Sequence, residues 1–251
     1  MKLSTLIPAL PILLVTSSVY AADDTITPND SGEFSGGAKL GFIYSNASTS
    51  STSLNSGAWL KYEKAKWTND FKASTYYTKS SDSEDDGTNK YSLGYKLSYQ
   101  IAESYNAFID NEYVHDQFET YREVYSVTAG IEKALIKTKT TQLNIGGGPG
   151  YRYNKRQPND VDAPNKVSED VIANAFINGK TQLTDSLSVG GDADVDYGES
   201  NTTYTFGANL SNKLVGDVAL VLDAQYIYNT DVASNKSNDE VYTTVSISYD
   251  F

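Results

Sequence analysis

Leu187-Ser188-Val189-Gly190-Gly191-Asp192-Ala193-Asp194-Val195-Asp196-Tyr197 is the stretch whose reading decides the fold. Leu187, Val189, Gly191, Ala193, Val195 and Tyr197 fall on one face, and Ser188, Gly190, Asp192, Asp194 and Asp196 on the other. A period of two belongs to a strand, because successive side chains leave a pleated backbone on opposite sides.

The same alternation recurs over 34–44, 54–62, 67–77, 91–99, 105–113, 121–131, 141–153, 171–177, 204–210, 218–228 and 241–251. Together these stretches predict twelve strands, an even number. The linkers between them alternate in character. Residues 45–52, 79–89, 114–120, 154–168, 198–202 and 230–239 are mostly longer and rich in Ser, Asn, Asp and Thr. Residues 63–66, 102–104, 133–139, 183–185 and 211–216 are mostly tighter. Long loops at one end and short turns at the other describe a transmembrane barrel.

Alternation alone does not say which face points outward, since a soluble barrel also has one apolar face. Twelve strands tilted ~40° and spaced ~4.7 Å apart enclose a cylinder roughly 24 Å across, too wide for inward side chains to fill as a dry core. The apolar face is therefore expected to meet lipid. The aromatics agree: Tyr44, Tyr77, Tyr91, Tyr113, Tyr121, Tyr153, Tyr197, Tyr204 and Tyr228 flank the long loops, and Phe34, Tyr62, Trp67, Tyr99, Tyr105, Tyr249 and Phe251 the short turns. Two girdles of amphipathic rings suit the two interfaces of a bilayer. Glu123 is the charged exception on the predicted outer stripes and sits near the loop end, where a charge costs least. The expected fold is all-β, a transmembrane antiparallel β-barrel of about twelve strands spanning 33–251.

The remaining composition narrows the function. Lys2, the apolar run 6–15 and Val19-Tyr20-Ala21 read as a signal peptide over 1–21, followed by a periplasmic leader over 22–32. An exported chain of this kind belongs in a bacterial outer membrane. With 32 Asp+Glu against 20 Lys+Arg, the net charge of −12 argues against nucleic acid as a partner. The absence of Cys removes thiolate metal sites and cysteine nucleophiles, and one His leaves little for a triad. No catalytic, cofactor or metal residues are therefore expected. Val245, Ile247, Tyr249 and the terminal Phe251 resemble the C-terminal signal of outer-membrane barrels, which implies the barrel-assembly machinery as a partner during biogenesis, beside outer-membrane lipid and lipopolysaccharide.

Three further segments carry a family resemblance. Gly36-Gly37-Ala38-Lys39-Leu40-Gly41 precedes an Asn/Ser/Thr-rich loop; Tyr121-Arg122-Glu123 is followed by Val127-Thr128-Ala129-Gly130; and Gly148-Pro149-Gly150-Tyr151-Arg152-Tyr153 comes after. In this order and spacing the chain, from about residue 33 to 251, resembles the YdiY-like salt-induced outer-membrane proteins, a group defined as a domain of unknown function. Relatives often have Ser-Gly-Asn in the first loop, where this chain has Ser45-Asn46 without the Gly. The resemblance implies an outer-membrane barrel linked to salt or osmotic stress and transfers no catalytic residues.

The inward face holds the most chemistry. Lys39, Lys61, Lys72, Lys90, Lys96, Arg122, Arg152 and Lys180 share it with Asp70, Asp110, Glu112, Asp170, Asp192, Asp194, Asp196, Asp223 and Glu240. Two arrangements are open: an acidic row, Asp192, Asp194 and Asp196, that favours cations in a narrow water-filled channel, or charges of both signs paired across the lumen and partly plugging it. His115-Asp116 would suit a lipid hydrolase only with a Ser in reach, and Ser126 lies well down the next strand. Asp82-Ser83-Glu84-Asp85-Asp86-Gly87 lacks the carboxylate that a calcium loop needs at its twelfth position, Leu93. Gly146-Gly147-Gly148-Pro149-Gly150 precedes no helix that could bind phosphate and is expected to allow a bulge or a close approach.

Overall fold

The computed structural model describes residues 31–46, 50–80 and 88–251. Twelve strands fill them: β1 Glu33–Asn46, β2 Ser50–Lys64, β3 Trp67–Ser80, β4 Thr88–Ala102, β5 Tyr105–Asp116, β6 Tyr121–Lys137, β7 Thr141–Arg156, β8 Val167–Gln182, β9 Leu187–Tyr197, β10 Thr203–Val215, β11 Val218–Asn229 and β12 Asp239–Asp250. Each pairs antiparallel with its sequence neighbours, and β1 pairs with β12 to close the barrel. The signal peptide and most of the leader lie outside the described residues, as does the acidic loop Asp82–Gly87.

Several strands run past the apolar stripes that announced them. β1 and β2 pair out to Asn46↔Ser50, inside what composition read as a loop. β6 continues to Lys137 through a predicted turn. Polar residues end these strands because ladder hydrogen bonds need only backbone, and the ends rise above the apolar belt. The turns are tight. Ala65 (φ 53°) and Gly216 (φ 56°) adopt the left-handed conformation that lets a two-residue connection follow the twist of its strands. Thr184 Oγ1 accepts from the backbone N–H of Leu187 at 3.0 Å, and Thr138 Oγ1 from that of Thr141 at 2.9 Å.

The wall is inverted relative to a soluble protein. Val171 on the outside is 79 % exposed, whereas Arg152 on the inside is 2 % exposed. Aromatic pairs stud both rims of the outer wall: Tyr91–Tyr113 and Tyr204–Tyr228, each with centroids 6.2 Å apart, on the loop side, and Phe34–Tyr62 at 4.4 Å and Trp67–Tyr99 at 4.7 Å on the turn side. Val245, Ile247, Tyr249 and Phe251 form one exposed apolar stripe. Phe251 and Gly36 exchange both backbone hydrogen bonds, at 2.8 and 2.9 Å, so the last residue helps close the barrel.

The glycine run makes a close approach rather than a bulge. A Cβ on Gly148 would lie 2.1 Å from the Ala129 carbonyl oxygen, and one on Gly147 2.3 Å from that of Asn174. Inward Gly130 and Gly146 make room for rings: an added Cβ would meet Phe108 Cζ at 2.8 Å and Phe176 Cζ at 2.6 Å respectively.

Candidate functional site: the lumen

Alternation on β9 delivers Asp192, Asp194 and Asp196 to the lumen, where they border a chamber of about 530 Å³. Asn174 on β8 donates from Nδ2 to Asp194 at 2.8 Å and to Asp196 at 2.9 Å, holding both carboxylates in place. Across the ladder from Asp192 stands Gly207, where any Cβ would fall 2.3 Å from the carboxylate oxygen. Among the described residues, no cation stands within 4.0 Å of the three carboxylates or of Glu112, which lines the same chamber.

Several other inward charges are paired. Lys39 on β1 reaches Asp223 on β11 at 2.8 Å, and Lys90 on β4 crosses the lumen to Glu240 on β12 at 3.3 Å. Lys90 Nζ also stands 4.9 Å from the centre of the Tyr242 ring, and the Tyr242 hydroxyl donates to Glu240 at 2.7 Å. On the turn side, Lys96 contacts Glu132 at 2.5 Å, with its ammonium 4.6 and 4.8 Å from the ring centres of Phe108 and Phe176. Paired charges therefore narrow the lumen, and the acidic row Asp192, Asp194 and Asp196 faces the chamber beside them.

Three loops fold over the mouth. Arg156, at the end of β7, donates to Asp160 at 2.9 Å and to Asp231 at 2.8 Å. Tyr121 donates to the same Asp231 oxygen at 2.9 Å, beneath the Arg156 guanidinium. Ala233 N donates to Thr120 Oγ1 at 3.1 Å, and Ser234 N to Asp162 at 2.6 Å, so the 117–120, 157–166 and 230–238 connections are tied together. Asp160 also accepts from the backbone N–H groups of Asp162 and Ala163. Burial pushes its carboxyl up, but those N–H groups and Arg156 outweigh it and hold the pKa below the ordinary 3.8.

This cluster corrects the sequence reading at two residues. Tyr121 was expected in the outer girdle and Arg122 inside. A β-bulge between Tyr121 and Glu123 sets two residues of β6 against one of β7 and reverses the alternation above it. Tyr121 therefore faces the lumen, 8 % exposed, and Arg122 lies at the rim beside Glu123. Alternation also passed over Arg156, Asp160 and Asp231 as loop polarity. The scarcity of arginine, with Arg122, Arg152 and Arg156 alone in the chain, was the available signal. His115 lies on the outer face with its ring stacked on Tyr91, centroids 4.8 Å apart. Ser126 lines the chamber on the opposite face of the wall.

An apolar outer wall around a polar, charge-lined lumen defines a transmembrane β-barrel. The chain belongs to the family described as "Protein of unknown function, DUF481", whose profile matches residues 38–251. No curated protein matches the sequence. Among solved structures, the NanC porin is 12% identical with a TM-score of 0.50, over 85% of this chain and 98% of that one. An outer membrane channel from Pseudomonas putida F1 is 12% identical with a TM-score of 0.49, over 93% and 100% of the two chains. The KdgM porin is 11% identical with a TM-score of 0.44, over 86% and 99%. At these identities the likeness is one of fold.

Proposed function

We propose that the protein is a non-enzymatic integral outer-membrane barrel that passes small cations through a narrow lumen, in an envelope adjusted to salt or osmotic stress. The observation that carries the cation preference is the row Asp192, Asp194 and Asp196, facing the chamber with no cation in ion-pair reach among the described residues. A monovalent cation about 5 Å from two such carboxylates gains roughly 0.8 kcal/mol from each at the dielectric constant of water, an enrichment on the order of tenfold. Placement in the outer membrane is supported by the exposed apolar wall and its aromatic rims. Export through a signal peptide over 1–21, a leader over 22–32, and barrel-assembly machinery reading Val245, Ile247, Tyr249 and Phe251 belong to the same proposal, with lipopolysaccharide as the surrounding partner. The stress role rests on the family resemblance and is checked by following the protein's abundance after a shift to high salt.

The direct test is single-channel recording of residues 22–251 in planar bilayers across a salt gradient. Discrete cation-selective steps are expected, and replacing all three acids (Asp192→Asn, Asp194→Asn, Asp196→Asn) should bring the cation/anion permeability ratio several-fold closer to unity. Unchanged selectivity would overturn the assignment of the row. A second reading, a barrel without conduction, is favoured by the Lys96–Glu132 pair and the mouth loops, and a folded but electrically silent barrel would establish it.

A further inference from the structure

Three side chains of the chamber wall carry a polar atom without a hydrogen-bond partner. Asp116 Oδ2, Arg152 Nε and Asn154 Nδ2 belong to residues only 3, 2 and 1 % exposed, and all three residues line the chamber. Among the described residues, Ser246 is the one other buried side chain in that condition. Leaving a buried polar group unpaired is costly, and folded proteins pair nearly all of them, with protein, water or a ligand. Three in one wall mark a place that another molecule completes.

Two of the three are donors on one strand. Arg152 and Asn154 are two positions apart on β7, so both face inward, ~6.8 Å apart along the chain. The rest of the Arg152 head is fixed: Nη1 donates to Thr203 Oγ1 at 3.2 Å and Nη2 to the Asn201 carbonyl, with the Asp170 carboxylate 3.7 Å away. A carboxylate has two accepting oxygens and can take one hydrogen bond from each free donor.

The opposite charge stands beside them. Thr203, to which Arg152 is bonded, is the ladder partner of Asp196. Even so, among the described residues Arg152 makes its ion pair with Asp170, while Asn174 holds Asp194 and Asp196. A cation and two carboxylates kept close but unpaired suit a guest with both charges on one carbon. The rest of the lining adds a third requirement. Lys39 is engaged by Asp223 at 2.8 Å, and Lys90 is shared by Glu240 at 3.3 Å and Asp116 at 3.9 Å, whereas the acidic row and Glu112 have no such cation. A guest with a second cationic group answers that excess, and a chamber of about 530 Å³ has room for it.

We infer that the chamber binds a basic α-amino acid, with its carboxylate on Arg152 and Asn154, its α-ammonium at Asp194 and Asp196, and its side-chain cation toward Asp192 and Glu112. The inference gives the cation path a substrate class and rests on the same acidic row, but not on conduction.

The test is calorimetric titration of residues 22–251, folded in detergent micelles, with lysine and with three compounds that each lack one of its groups. Cadaverine has no carboxylate, aminocaproate no α-ammonium and norleucine no side-chain ammonium. Each should bind roughly tenfold or more weakly than lysine, because each leaves one charged part of the site unmatched. Asn154→Leu should weaken lysine several-fold and leave cadaverine unchanged, whereas general damage to the barrel would weaken both. Cadaverine binding the unaltered chain as tightly as lysine would mean that Arg152 and Asn154 hold only water, and would overturn the inference while leaving the pull of the row on cations intact. A folded barrel with no saturable lysine binding would overturn it as well. Failure of the conduction reading looks different: a barrel that separates lysine from cadaverine in micelles and stays electrically silent in bilayers.

Discussion

Lys96 shows how a barrel interior closes around a single side chain. Its ammonium meets the Glu132 carboxylate at 2.5 Å and two aromatic rings inside 5 Å, and the rings fit because Gly130 and Gly146 have no Cβ to collide with their Cζ atoms. Removing the cation alone leaves Glu132 in an aromatic crevice without its partner, whereas removing both charges takes that pair away whole and leaves only the more distant Asp70 and Asp110, which face Lys96 across the ladder. Lys96→Met is therefore expected to destabilise the reconstituted barrel by about 1–3 kcal/mol, less than a fully buried pair because both side chains retain some exposure. Adding Glu132→Gln should restore part of the loss. Urea unfolding in lipid vesicles measures both, and a double variant as unstable as the single one would refute the coupling. The inward direction of Lys96 was legible from alternation. Its partner was not, because Lys96 sits on β4 and Glu132 on β6, and sequence periodicity says nothing about which residues share a height in the lumen.

Elements show the same boundary between what a pattern records and what it misses. A period of two survives as long as each residue faces one partner; the bulge at Tyr121/Glu123 adds one residue and turns the alternation over. With Tyr121 turned inward, Asp231 gains a hydroxyl beside the Arg156 guanidinium, and the mouth loops acquire a shared anchor. Arg156→Gln should release that anchor and raise the mean single-channel conductance, with new protease cutting in 157–166 and 230–238. Conductance and cutting both unchanged would mean that the anchor does not hold the mouth. Asp160 adds a pH dependence of known sign. Its folded pKa is depressed, so its contribution is complete above the ordinary value of 3.8 and lost as pH falls through the lower folded value. Pepsin, active in this range, should begin to cut 157–166 only as the pH falls below the ordinary carboxyl value of 3.8, whereas Asp160→Asn should be cut on both sides of it. Cutting of the unaltered chain that stays constant over the interval would remove Asp160 from the anchor.

At the scale of the whole molecule the fold was legible because one rule governs the outer wall: apolar residues point outward along every strand, with aromatics at the rims, and most polar residues point inward. That rule is repeated by twelve strands, so a local error at one bulge leaves the architecture unchanged. The register of the β1–β12 closure, with Gly37 opposite Asp250, was not legible, since the stripes 34–44 and 241–251 alternate as cleanly as the rest, and pairing between strands so far apart in sequence leaves no mark on either. The rule also makes the two tryptophans into probes of placement. Trp67 is 48 % exposed on the outer wall against Tyr99, at the turn-side rim. Trp59 belongs to the inward set of β2, and its ring lies where a Gly37 Cβ would be, 2.3 Å from the ring carbon Cζ2. In vesicles of brominated phospholipid, the Trp59→Phe variant, which keeps Trp67, should lose much of its fluorescence, most when bromine sits high on the acyl chain near the interface. The Trp67→Phe variant, which keeps Trp59, should be quenched far less, because bromine on lipid has to act through the wall. Equal quenching of the two would mean that the wall is not the boundary between lipid and lumen, and an unquenched Trp67 would take the barrel out of the bilayer altogether.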